Sequence, residues 1–102
     1  MAYIASVVID QAGAGTTTLK SSDGPDWRVE IINYVVVLSA DGTFAFSDGT
    51  DWLSGDMPIA AKGGVSAKGE MNAPLMIGGK GRPLNITTTV GAATGHALIR
   101  IS

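Results

Sequence analysis

The chain holds one histidine, His96, and no cysteine. That pairing restricts its chemistry before anything else is considered. Zinc sites built from nitrogen and sulfur ligands need several His or Cys residues, and a Ser-His-Asp triad would need His96 as its base. His96 follows Gly95 at the head of an apolar run, a setting that fits a structural or interface residue. The acidic residues Asp48, Asp51 and Asp56 invite a calcium reading. Counted from Asp48, however, Trp52 falls at the fifth position of an EF-hand loop and Ile59 where the bidentate glutamate belongs. Turn chemistry is the plainer explanation. Gly78-Gly79-Lys80-Gly81-Arg82 has the look of a phosphate loop, but its lysine is followed by glycine rather than Ser or Thr and the glycine spacing is wrong. It reads as a glycine hairpin carrying two exposed cations.

Trp27 and Trp52 each lie beside an aspartate and could stack against sugars or bases. Each also opens or joins an apolar run, so a core or subunit-interface place suits both better. Nucleic-acid binding is disfavoured, because the protein is acidic overall and its basic residues do not interleave with aromatics. No catalytic residue, metal or cofactor is expected, and the chain reads as a non-enzyme.

What would position such residues is a β framework. At 102 residues with 45% hydrophobic side chains, the chain suits one domain with a real core, spanning residues 1–102, in which 1–25 is an extended or partner-contacting segment. Only 16% of residues are charged, so some outer surface should be covered by other subunits. The apolar N-terminal run is broken by Asp10 before it reaches the length of a signal peptide or membrane span. This predicts a soluble protein made in a cytoplasm, with no membrane partner. The formal net charge of −2 is unevenly spread: eight of the nine acidic residues precede residue 61, and five of the seven basic residues follow it. Many of the acidic residues mark turns. The asymmetry would also suit complementary surfaces on neighbouring copies, and it predicts that salt weakens assembly.

Short β-prone runs punctuated by Gly, Asp, Pro and Ser fill the sequence, and the second half carries no convincing helical period. Candidate strands cover 3–9, 16–19, 27–38, 43–46, 57–60, 75–77, 83–89 and 96–101. Val29 and Ile31 alternate with Arg28 and Glu30, as in a half-buried strand, whereas 34–38 is apolar throughout and suits a strand covered on both faces. Asp41-Gly42 predicts a tight hairpin. Phe44 and Phe46 should anchor the core together, and Pro58 argues against a central strand at its own position. About eight short antiparallel strands predict an all-β sandwich or jelly roll.

Ser47 to Thr50, Leu53 to Gly55, Met57 to Ile59, Ala61 to Gly64, Gly78 to Gly81, Leu84 to Ile86 and Gly95-His96 follow one another in an order that resembles small head-decoration, or cement-like, proteins of tailed double-stranded DNA phages. The likeness runs over about residues 27–101, and residues 3–19 depart from it. It implies a homotrimeric structural virion protein on the outer capsid surface, bound to the major capsid protein and bridging capsid subunits without touching nucleic acid. Multivalent contact would then convert modest single contacts into tight retention. The expected interface residues are Trp52, Leu53, Met57 and Ile59 in one apolar patch and Leu75 and Met76 in another, methionine being suited to adaptable contacts. An alternative from another class is a carbohydrate-binding β-sandwich on a phage head or fibre that uses Trp27 or Trp52.

Overall fold

A computed structural model describes residues 3–54, 57–59, 64–69, 74–89 and 92–102, with the backbone alone at 57–59 and 65. Nine strands run through them: β1 (Tyr3–Gln11), β2 (Gly15–Lys20), β3 (Val29–Leu38), β4 (Gly42–Ser47), β5 (Met57–Ile59), β6 (Gly64–Lys68), β7 (Met76–Ile77), β8 (Leu84–Thr88) and β9 (Ala93–Ile101). All ladders are antiparallel. One sheet has the order β1-β9-β3-β6, with β7 also on β3, and the other has β2-β8-β4-β5. With the two-residue β7 set aside, successive strands alternate between sheets except for β4 and β5, which pair within the smaller one, and the two sheets form the jelly-roll sandwich that the sequence predicts.

Alternation in each strand explains how the sandwich closes. Ile9, Val36, Leu38, Ile99 and Ile101 point inward from the larger sheet, and Phe44, Phe46, Leu84 and Ile86 from the smaller one, all fully buried. The expected aromatic anchor is present and gains a third ring. Tyr34 of β3 stands edge-on to Phe46 at 5.1 Å and to Phe44 at 6.0 Å, so three rings join the two sheets. Fully burying each phenylalanine is worth about 1.5–3 kcal/mol.

The long strand β3 contains a bulge. Its pairing with β9 slips between Ile31 and Asn33, leaving Ile32 as an extra residue. The inward set therefore changes from Val29 and Ile31 to Tyr34, Val36 and Leu38. Val35 and Val37 turn to the outer face, where they are half-buried.

Asp41-Gly42 does not make a hairpin. Leu38 and Gly42 belong to strands in opposite sheets, so the dipeptide turns an inter-sheet corner, held where Ser39 N–H donates to the Ala92 carbonyl at 2.9 Å. Local turn chemistry is satisfied equally well by a corner, and the choice of partner strand is nonlocal. The segment around 64–68, which reads as loose because of its glycines, is strand β6. The N-terminal residues 3–20 are paired into both sheets, β1 with β9 along its whole length and β2 with β8. Pro58 sits on β5, an edge strand, where a missing N–H is tolerated.

Gly95 shows why β9 extends further than the sequence suggests. The run 91–95 reads as a separator, yet Gly95 pairs with both Ile9 and Val36 inside the sheet. Its φ is 144°, and a Cβ there would lie 1.9 Å from the Val35 carbonyl oxygen. Only glycine lets β9 approach β3 this closely.

Candidate functional site

Among the described residues, three places gather chemistry-bearing side chains. The first is the loop pair 48–51 and 78–82. The Asp48 side chain is almost fully buried, and its Oδ1 accepts from the N–H groups of Thr50 (3.0 Å) and Asp51 (2.7 Å). Its Oδ2 accepts from Gly79 N–H (3.0 Å) and Arg82 Nη1 (3.2 Å), and the same Nη1 reaches Asp51 Oδ2 at 2.9 Å. Burial pushes the Asp48 carboxyl upward, but the Asp51, Thr50 and Gly79 N–H donors and the Arg82 guanidinium outweigh it and hold the pKa at about 2. The glycine-rich loop does cradle an anion, and that anion is the protein's own carboxylate. Arg82 is thus engaged by two carboxylates, contrary to its reading as one of two exposed cations. Asp56, the third member of the acidic trio, lies outside the described residues.

The second place is the end of β1. Tyr3 Oη donates to Asp23, Lys20 pairs with the same carboxylate at 2.5 Å, and the Tyr3 ring lies 6.2 Å from that of Trp27. Trp27 packs against the core, so its polar neighbours pin the 20–27 connection to β1. Among the described residues no three His, Cys, Asp or Glu side chains converge in a way that could hold a metal.

The third place is the outer face of the larger sheet. Val8, His96, Val35 and Ser66 lie side by side across it, as do Ser6, Leu98, Asn33 and Lys68 in the next row. Ile4 and Ile77 extend the face beyond the Arg100–Glu30 ion pair. Val8 is 74% exposed, Ile77 53% and Ile4 43%. An open depression of about 480 Å³ follows β3 and β6, lined by Asn33, Tyr34, Val35, Ser66, Ala67 and Lys68. His96 is exposed on this face, between Val8 and Val35, which suits an interface position.

The expected interface residues are divided by the fold. Trp52 is 63% exposed after β4, where it bridges to Ser47, and Leu75 is exposed beside β7. Leu53 and Met76 lean on the core cluster instead. Met57 and Ile59 lie on β5 beside β4, and their side chains lie outside the described residues. Sequence reasoning missed Ile4, Val8 and Ile77. The signal was present in β1, where even-numbered Ile4 and Val8 alternate with odd-numbered Ile9, but both sets are apolar, so alternation alone did not say which faced outward.

The chain matches no known protein-family model and no curated protein sequence. Solved structures do share its fold. The coat protein dimer of Tobacco streak virus superposes with a TM-score of 0.58 at 16% identity, covering 99% of this chain and 84% of the other. The virus-like particle of extra small virus from the giant freshwater prawn Macrobrachium rosenbergii gives 0.53 at 15% identity, covering 99% and 77%. Bacillus endospore appendages, described as disulfide-linked pili, give 0.51 at 17% identity, covering 99% and 86%. These likenesses establish the jelly-roll fold of this chain.

Proposed function

We propose that this protein is a non-catalytic structural component of a virion that associates with itself and decorates a capsid. The observation that carries the reading is its similarity, over nearly the whole chain, to proteins that build shells and filaments: two viral coat structures and a pilus. The resemblance of residues 27–101 to head-decoration proteins narrows it to the outer surface of a tailed-phage head, with the major capsid protein as partner and a trimer as the assembled unit. Such a role needs a stable body with adhesive outer surfaces, and an aliphatic outer sheet face meets that need. Burying apolar area between copies stabilises association at about 25 cal/mol per Å² before the costs of ordering.

The test is light scattering coupled to size exclusion, followed by co-sedimentation with purified tailed-phage heads. A defined oligomer that pellets with heads supports the proposal. A monomer at all concentrations up to about 1 mM, the weak end of specific affinity, overturns the self-association. Failure to pellet with any head tested overturns the decoration role.

A further inference from the structure

We infer that the outer face of the larger sheet is a two-fold contact with a second copy of this chain, the two sheets crossing at about a right angle. This rests on the self-association proposed above and identifies the surface responsible. The argument begins with charge. Asp10 stands at one corner of the face, on edge strand β1, and Lys68 at the opposite corner, on edge strand β6. Both are exposed, and among the described residues neither has an ion-pair partner. Neighbouring strands are about 4.8 Å apart and same-face residues about 6.7 Å. Asp10 and Lys68 are therefore separated by about 14 Å across the strands and about 13 Å along them, close to the diagonal of a square.

A two-fold axis lying in the face along the other diagonal exchanges these corners. It sets Asp10 of each copy on Lys68 of the other, twice, and makes the strands of the two sheets cross near 90°, one of the two preferred sheet-packing geometries. The same operation lays Val8 beside Leu98 of the second copy, at the mouth of the depression near Asn33. The axis runs through Ser6 and Gly64, whose small size allows each to meet its own counterpart. The alternatives are worse. An axis along the Asp10–Lys68 diagonal places each charge on its own kind, and an axis parallel to the strands sets Asp10 against Gly64. The face is about 20 Å wide and about 27 Å long, so two copies crossed at a right angle overlap over about 20 Å by about 20 Å and hide on the order of 800 Å² in total, the size of a weak, reversible contact.

A two-fold contact implies an even-numbered assembly, either a dimer or two trimers joined back to back. The experiment measures the solution mass of wild type, Val8→Asp, Asp10→Lys, Lys68→Asp and an equimolar mixture of the last two, with thermal unfolding to show that each variant is folded. The expected results are an even-numbered wild-type mass, at least a tenfold loss of association in each single variant, and recovery in the mixture. Recovery follows because one variant then offers two cations where the other offers two carboxylates. A plain trimer unmoved by Val8→Asp, or a mixture no better than its components, overturns this contact while leaving self-association intact. A monomeric wild type overturns both.

Discussion

The two sheets present contrasting outer faces. The smaller sheet shows Thr16, Thr18, Thr43, Thr87 and Thr89, and the hydroxyls of Thr16 and Thr87 bond across the strands at 2.8 Å, as those of Thr43 and Thr89 do at 3.2 Å. The larger sheet shows Ile4, Val8, Val35, Leu98 and Ile77. Both sets are β-branched or branched aliphatic residues with good strand propensity, so the backbone is served equally by either. The difference lies in solvation. Threonine satisfies the strand and water together, while valine and isoleucine satisfy the strand and leave apolar surface to be covered. In one sandwich, the contrast identifies which outer face suits water and which suits a neighbour.

The contrast can be broken most severely at Gly95, where the larger sheet is held closest. Gly95→Ala should cost more than about 4 kcal/mol and prevent folding, because the new Cβ meets the Val35 carbonyl oxygen in a backbone region that L-residues avoid. Far-UV circular dichroism and soluble yield check this, and a folded variant of wild-type stability would refute the close approach.

The Asp48 clamp lies apart from both outer faces and should affect stability without affecting association. Its folded pKa of about 2 lies below the ordinary 3.8, so its contribution is complete above about pH 4 and is lost as pH falls toward 2. The expected loss is about 2 kcal/mol, and Asp48→Asn should show the same deficit at neutral pH with a shallower acid slope. Chemical denaturation from pH 2 to pH 7 measures both.

The faces themselves are compared by matched substitutions. Val8→Asp on the aliphatic face and Thr16→Asp on the threonine face should each lower stability by a similar amount, about 1 kcal/mol, through lost strand propensity and cross-strand pairing. Only the first should lower the solution mass, and an equal effect from the second would erase the distinction drawn between the sheets. The smallest effect is that of salt. Exposed ion pairs such as Asp10–Lys68 are worth about 0.2–1 kcal/mol each, so association should weaken by a few-fold to about tenfold between low and 1 M salt. Sedimentation velocity across a salt series would show it, and a salt-indifferent assembly would remove charge from the proposed contact.

Much of this fold was legible from local pattern. Phe44 and Phe46 announce a core strand by their spacing, and Pro58 excludes a central position. Val29 and Ile31 declare their inward face. The same logic failed wherever the deciding atom was distant in sequence. Asp41-Gly42 encodes a turn but not which sheet receives the next strand. Gly95 resembles loop punctuation until the Val35 carbonyl is placed against it. Gly79 and Arg82 look like a solvent-exposed hairpin until Asp48 arrives from another loop. Of the expected interface residues, Trp52 and Leu75 stand out as apolar residues among turns and are exposed, whereas Leu53 and Met76 serve the core from similar local settings.

By itself the sequence determined the all-β class, the approximate strands and their turns, because these depend on side-chain period and on backbone preferences within a few residues. Tertiary structure decided which strands became neighbours, where the Ile32 bulge exchanged inward for outward, and which of two apolar sets on β1 met the core. Those outcomes depend on contacts between residues as far apart as Val8 and His96. In a strand with apolar residues on both faces, local pattern is balanced, and packing against the opposite sheet breaks the tie.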